Sequence, residues 1–215
     1  MDMAELAPLS KHILGMRVDR TSYRDAVERV LAWGRNGHSR YICVATVNNV
    51  MEAYDSAEFQ AIMNQADLVT PDGMPLVWGL RMLGASGATR VYGPALTPAV
   101  LEAAVRERLP VGFYGGSPGA LEKLRAAVGT RYPGLTIAYA LSPPFRPLLP
   151  AEDDGIVRQI LDAGVRILFI GLSTPKQERW MAAHRGRVPA VMLGVGAAFD
   201  FLSGSKPQAP AWMQS

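Results

Sequence analysis

One cysteine, Cys43, stands in a chain of 215 residues. With no second thiol in the chain, a disulfide framework and a multi-cysteine metal site are both excluded. Charge is also sparse: 19% of residues are charged, below the usual quarter, while 49% are hydrophobic. That balance excludes a disordered chain and supplies a sizeable core for one α/β-sized domain spanning 1–215. No apolar run approaches the roughly 20 residues of a spanning helix. The opening MDMAELAPLSKH starts acidic and lacks a leader-type apolar run, so a reducing cytosol is expected. The three histidines, His12, His38 and His184, are scattered without metal-ligand spacing. Neither G-x-G-x-x-G nor the Walker A pattern occurs, which removes the usual sequence grounds for NAD or ATP binding. No G-x-S-x-G elbow is present either.

The net charge of +3 is lower than a nucleic-acid binder usually carries, and no nucleic-acid partner is expected. Its distribution says more. Residues 41–80 hold five acids and no Lys or Arg, whereas 155–190 hold six Lys or Arg and two acids. This reads either as a catalytic acidic region beside a cationic one for phosphate or anionic lipid, or as ordinary solvated helix faces.

What the chain does have is alternation. Short apolar runs at 41–47, 67–70, 111–114, 135–139, 166–170 and 190–195 are rich in Val, Ile, Tyr and Phe and bounded by Gly or Pro, as buried strands are. Helical patterns lie between them: Tyr23, Ala26, Val27, Val30 and Leu31 after a Ser22/Asp25 cap; Leu101, Ala104, Val105 and Leu109; Leu121, Leu124 and Val128; Ile156, Val157, Ile160 and Leu161, closed by Gly164. The expected fold is α/β, Rossmann-like, a mostly parallel sheet with helices on both faces in a single domain. The proline-rich stretch 142–150 reads as a loop inside one domain and a candidate lid.

Thr97-Pro98, Ser117-Pro118 and Thr174-Pro175 each place a capping hydroxyl before a proline, the pattern of a helix start. The last two follow an apolar strand and glycine, the carboxyl edge where ligands collect in a doubly wound sheet. Gly115-Gly116-Ser117 is therefore a candidate phosphate cradle, or simply a tight turn with a good cap. Thr174 and Gln177 have capping-box spacing, which explains both without a ligand. Lys176 is not so explained, since a cation in a first turn opposes the helix dipole and suits an anionic partner. Asp72, in Thr70-Pro71-Asp72-Gly73, is either a turn residue or a general base at a strand's carboxyl end. Thr46 and Asn48 are expected to end the strand before it, and Asn48-Asn49 to bind a sugar hydroxyl or cap the next helix. Arg90 is a candidate phosphate clamp. There is no D-x-D sequence of the kind that holds a divalent cation on a nucleotide-sugar; Glu152-x-Asp154 is the nearest approach and reads as helix-start acid. Cys43, inside an apolar run, reads as a buried small residue.

In order, Thr46-Val47-Asn48, Ala66 through Pro75, Arg90-Val91-Tyr92-Gly93-Pro94, Phe113 through Gly116, Ser142 through Phe145, Gly171 through Glu178 and Gly194 through Phe201 resemble the WecG/TagA/CpsF family of bacterial glycosyltransferases, glycosyltransferase family 26. The resemblance runs over roughly 13–213. It implies a Rossmann-like core and inverting, metal-independent transfer from a UDP-sugar to a prenyl-diphosphate-linked acceptor, for cell-surface polysaccharides. The enzyme would work at the inner face of the cytoplasmic membrane, peripherally and with no cofactor, and homo-oligomerisation is left open. The family's base falls on Asp72. Its functional Thr, Arg and Gln match Thr46, Arg90 and Gln177, and its late Asp matches Asp200.

Two departures stand out. The position where family members often carry Asp after Arg-Val-x-Gly is Ala95. The segment Lys206 through Gln214 resembles the family's Arg-Ala-Pro-x-Trp stretch with Gln208 in place of Arg, and the chain stops at Ser215, where relatives continue into a membrane-docking appendage. That appendage is expected to be absent or truncated. Two rival readings remain at this point: a nucleotide-dependent oxidoreductase on the same general fold, and a non-catalytic nucleotide-sugar-binding module.

Overall fold

The computed structural model describes residues 7–204. A hairpin comes first, β1 (Ser10–Ile13) and β2 (Met16–Asp19), antiparallel, turned at Leu14 and Gly15 with φ of 49° and 85°. The sequence reading did not foresee it, because two four-residue strands offer too little alternation to register. Helix α1 (Tyr23–Arg35) follows, capped as expected by Ser22, whose hydroxyl accepts from the Asp25 N–H.

The main sheet contains β3 (Arg40–Ala45), β4 (Leu68–Pro71), β5 (Val111–Gly115), β6 (Ile137–Leu141), β7 (Ile167–Gly171) and β8 (Val191–Gly194). They lie in the order β4-β3-β8-β7-β5-β6, every pair parallel. The connecting helices are α2 (Val47–Asp55), α3 (Ala57–Gln65), α4 (Met74–Met82), α5 (Gly93–Glu107), α6 (Pro118–Arg131), α7 (Pro150–Asp162), α8 (Lys176–His184) and α9 (Ala198–Leu202).

Side chains alternate across a strand, so each buried strand feeds two cores. Tyr41, Cys43 and Ala45 of β3 pack with α2, α3, α4, α7 and α8, while Ile42 and Val44 pack with α1, α5, α6 and α9. In β7, Leu168 and Ile170 enter the first core and Ile167 and Phe169 the second. The expected α/β sheet with helices on both faces is the architecture observed, and burial drives the Cys43 thiol well above its ordinary pKa.

Several boundaries move. The run 41–47 ends as a strand at Ala45, because Thr46 adopts the N-cap position of α2 and Val47 is its exposed first residue. The strand expected at 135–139 lies two residues later, since the Leu135 N–H closes a turn on Tyr132 while Ala140 and Leu141 pair with Phe113 and Tyr114. Thr97-Pro98 does not start a helix: α5 begins at Gly93, and the Thr97 hydroxyl donates to the Gly93 carbonyl within it. A serine or threonine bonding four residues back satisfies itself inside a helix, which the dipeptide alone does not reveal. The segment around Gln208 lies outside the described residues.

Candidate functional site

All six parallel strands point their carboxyl ends the same way, and the sequence candidates gather along that edge. They fall into three groups.

At the outer strand, Asp72 directly follows β4. Its N–H donates to the Ala45 carbonyl at 2.7 Å, so β3 fixes the turn, and Gly73 takes φ of 122° as the cap of α4. The Asp72 carboxylate lies 3.4 Å from an Arg90 Nη, with both side chains largely covered. Arg90 in turn lies over the Tyr92 ring, 4.4 Å from its centre. Burial raises the Asp72 carboxyl above the ordinary aspartate value; the Arg90 charge and the Gly93 N–H draw it back without cancelling the rise. A carboxyl so placed keeps a higher proton affinity than a solvated one, as suits a base.

In the middle lies a buried polar network that no single motif displays. Glu178, wholly buried, accepts through one oxygen from Asn49 at 3.1 Å, Thr174 at 3.0 Å and Gln177 at 3.0 Å. Asn49 accepts from both the Thr46 N–H and the Thr46 hydroxyl at 2.9 Å, linking the start of α2 to the start of α8. Gln177 accepts from the Gly196 N–H at 3.1 Å, tying the same network to the end of β8. The capping box expected from Thr174 and Gln177 therefore does not form. The Thr174 hydroxyl turns inward to Glu178, Pro175 occupies the cap position after a cis bond, and Lys176 is the first helical residue. Thr46 opens α2 instead of closing a strand, and Asn49 is the residue that completes its cap. Asn48, exposed in the first turn of α2, makes no side-chain hydrogen bond among the described residues. Burial raises the Glu178 carboxyl, with the three donated bonds opposing.

Across β8, β7 and β5 the edge opens into a cleft of about 850 Å³, of the size ligand sites have. Gly116, Ser117, Lys176 and Asp200 line it. Ser117 caps α6 by accepting from the Ala120 N–H, with Pro118 as the first helical residue, so the expected helix start holds. Gly115 lies behind the lining: a Cβ there would stand 2.4 Å from the Gly171 carbonyl oxygen, so its glycine serves the close approach of β5 to β7. Lys176 is exposed at the start of α8 and makes no ion pair among the described residues.

Sequence reading missed the aromatic part of this cleft and foresaw its wall only as a loop able to act as a lid. Two of its lining residues stack, Tyr114 on Trp180 at 4.6 Å, and Trp180 stacks in turn on the buried His184 at 3.8 Å. Its outer wall is the loop 142–150, with Phe145 92% exposed. That wall is pinned at both ends: the Ser142 hydroxyl donates to the Gly116 carbonyl, and Arg146 makes a two-pronged contact with Glu152. Glu152 is held to about 2 by Arg146 and the Leu149 N–H, so it remains the helix-start acid it was expected to be. Trp180 and His184 sit four residues apart on α8, a spacing visible in the sequence, but only the fold shows that Tyr114 completes the stack.

The outer and inner groups are joined by backbone. Gly93, beside the Asp72 carboxylate, is so close to β8 that a Cβ would lie 3.5 Å from the Val195 carbonyl oxygen, and Gly196 follows Val195 into the cleft. No cluster of three or more His, Cys, Asp or Glu suited to a metal occurs among the described residues. No helix among them is long and apolar enough to cross a membrane.

The family model described as glycosyl transferase WecG/TagA/CpsF family matches residues 11–215. Among curated relatives, N-acetylglucosaminyldiphosphoundecaprenol N-acetyl-beta-D-mannosaminyltransferases of Staphylococcus aureus strains NCTC 8325 / PS 47 and COL are 26% identical over 201 residues. The MRSA252 relative of the same name shows the same identity and span. Each alignment covers 92% of this chain and 77% of the relative. The oxidoreductase reading and the non-catalytic reading are both set aside by this kinship with named transferases. A match over almost the whole chain, on a parallel sheet that carries its candidate residues along one edge, places this protein in the WecG/TagA/CpsF family of glycosyltransferases.

Proposed function

We propose that this glycosyltransferase moves N-acetylmannosamine, glucose or a related hexose from UDP to a hydroxyl of a prenyl-diphosphate-linked sugar. The reaction would occur at the inner face of the cytoplasmic membrane, in the building of a cell-surface polysaccharide, with inversion and without a bound metal. The observation that carries this reading is a single sheet edge bearing a covered carboxylate, Asp72, at its outer strand and, across β8, β7 and β5, a cleft of about 850 Å³ that two helix starts enter. The names of the Staphylococcus relatives, which specify a diphosphoundecaprenol-linked acceptor, supply the acceptor class.

In this mechanism the acceptor hydroxyl gives its proton to Asp72 while its oxygen attacks the anomeric carbon from the face opposite UDP. The bond from that carbon to the diphosphate oxygen breaks in the same step, so one carboxylate suffices. The leaving diphosphate is met by Lys176 and by the first turns of α6 and α8, fixed positive charge already in place when the anion forms. Arg90 holds the Asp72 carboxylate in position, and Thr46, Gln177 and Glu178 hold the strand ends between the two groups.

A thermal-shift panel of UDP-sugars tests the donor. A true donor at about a hundred times its Kd adds roughly 2.7 kcal/mol of stability. If no UDP-sugar shifts the melting point, the donor assignment fails. Excess EDTA should leave transfer nearly unchanged; a large loss restored by Mg²⁺ or Mn²⁺ would overturn the metal-free step.

A further inference from the structure

Among the described residues, two helices carry apolar stripes in solvent, and they differ in charge. On α2, the exposed Val47, Met51 and Tyr54 share their helix with two acids, the half-buried Glu52 and the exposed Asp55. On α4, Trp78 is 56% and Met82 88% exposed, one turn apart on one face, and Leu83 follows at 46%. The hairpin tip adds Leu14 at 56%, and it is seated against α4, since a Cβ on Gly79 would stand 3.0 Å from the Ile13 side chain. Residues 73–90 contain no Asp or Glu. Around them lie Lys11, on the strand face shared with Ile13, Arg20, whose guanidinium reaches Gly87, and Arg81. None of these three cations makes a salt bridge among the described residues, although Arg81 donates to the Ala88 carbonyl.

We propose that the tip of the β1–β2 hairpin and the exposed face of α4 form a docking surface for an anionic lipid bilayer. Apolar side chains ringed by cations, with a tryptophan among them, are the composition that enters a bilayer interface, whereas the acids on α2 would be repelled by it. The position also fits. Helix α4 starts two residues after Asp72, and at about 1.5 Å per residue Trp78 and Met82 lie roughly 6 and 12 Å along it from its first residue. A prenyl-linked acceptor held in the membrane beneath this face would present its sugar at the Asp72 end of the sheet edge. That placement of the acceptor rests on the acceptor class proposed above; the surface itself rests on its residues.

The test is co-sedimentation of the full chain with phosphatidylcholine vesicles, with and without phosphatidylglycerol. A parallel assay measures transfer to a short-chain, water-soluble acceptor. The wild type should bind the phosphatidylglycerol vesicles, and more weakly at high salt. Trp78→Ser with Met82→Ser should weaken binding at least tenfold. Lys11→Gln with Arg20→Gln should weaken it roughly fivefold per charge, on anionic vesicles only. Both double variants should keep the wild-type melting point and transfer to the short-chain acceptor. Absence of vesicle binding by the wild type, or equal binding by the variants, overturns the proposal. So does a wild-type dimer that Trp78→Ser with Met82→Ser splits without loss of vesicle binding, because the occupant is then a second copy. If the vesicle results follow expectation but no UDP-sugar is turned over, the reaction assigned above fails and the docking surface stands.

Discussion

The strand–helix junctions after β5 and after β7 face one cleft and start from the same ingredients, yet their hydroxyls are satisfied in different ways. After β5, Gly115 and Gly116 turn the chain at positive φ and Ser117 bonds the first turn of its own helix. That hydroxyl needs no partner beyond the turn. After β7, the Thr174 hydroxyl leaves its helix's backbone to others and bonds Glu178, which also receives Asn49 from another helix. A junction that satisfies itself locally can be altered at local cost. A junction satisfied by a buried carboxylate shared among three side chains is coupled to everything that carboxylate holds, here the end of β8 and the start of α2. The second junction is therefore expected to transmit damage to the reaction, and the first is not.

The reference point for that contrast is Asp72. Asp72→Asn keeps the turn and removes the basic oxygen, so turnover should fall by about 10²- to 10⁴-fold with UDP affinity within a few-fold. Its folded-state pKa lies above the unfolded one, so the folded state binds this proton more tightly. Ionised Asp72 thus costs stability as pH rises through the raised value. The Asn variant should melt no lower than the wild type at pH 7. A variant that folds normally and retains near-full turnover reduces Asp72 to a turn residue and leaves Asp200, in the cleft lining, as the next candidate base.

Next in size are the inner-junction variants. Glu178→Ala leaves three buried donors without their acceptor, at about 1–3 kcal/mol for each group left unsatisfied. Thr174→Ala removes its bond to Glu178 and the one Asn49 donates to it, and leaves the carboxylate its other two donors. Each should lower kcat by roughly 10- to 100-fold, the scale of a displaced catalytic frame, and Thr174→Ser should recover most of the loss. Loss of melting temperature with unchanged kcat would show that the network supports the fold alone.

The pH profile gives a smaller effect. Because burial raises Asp72, the acid limb of kcat/KM should lie above the ordinary aspartate range, with activity lost as pH falls through it. Arg90→Leu removes a charge that lowers this pKa, so the limb should move further up. Movement downward would mean that another group sets it.

The smallest effect belongs to the self-contained junction. Ser117→Ala forfeits a cap worth about 1 kcal/mol, roughly 2–4 °C in Tm for a chain of this size. Any kinetic change should appear in the donor KM. A tenfold fall in kcat would erase the distinction between the two junctions.

The alternation of apolar runs with helical patterns was enough to determine a parallel sheet with helices on both faces, because burial on two sides leaves strands hydrophobic throughout. The Ser22 and Ser117 caps were legible for a related reason: a capping hydroxyl reaches only two or three residues, so its partner lies in the same short segment. Asp72 was legible because a Pro-Asp-Gly turn closing an apolar run is local too. What lay beyond reach depended on partners far along the chain. Thr174 and Gln177 fit a capping box on spacing alone; only the arrival of Asn49 and Glu178 in one buried volume decided otherwise, since burying a carboxylate oxygen demands every donor within range. Tyr114 and Trp180 stack because β5 and α8 meet across β7, and no local pattern encodes that meeting. Local hydrogen bonding and periodicity fixed the six strands of the main sheet to within a few residues and the Ser22 and Ser117 caps, while the matching of buried polar and aromatic groups from distant segments required the tertiary fold.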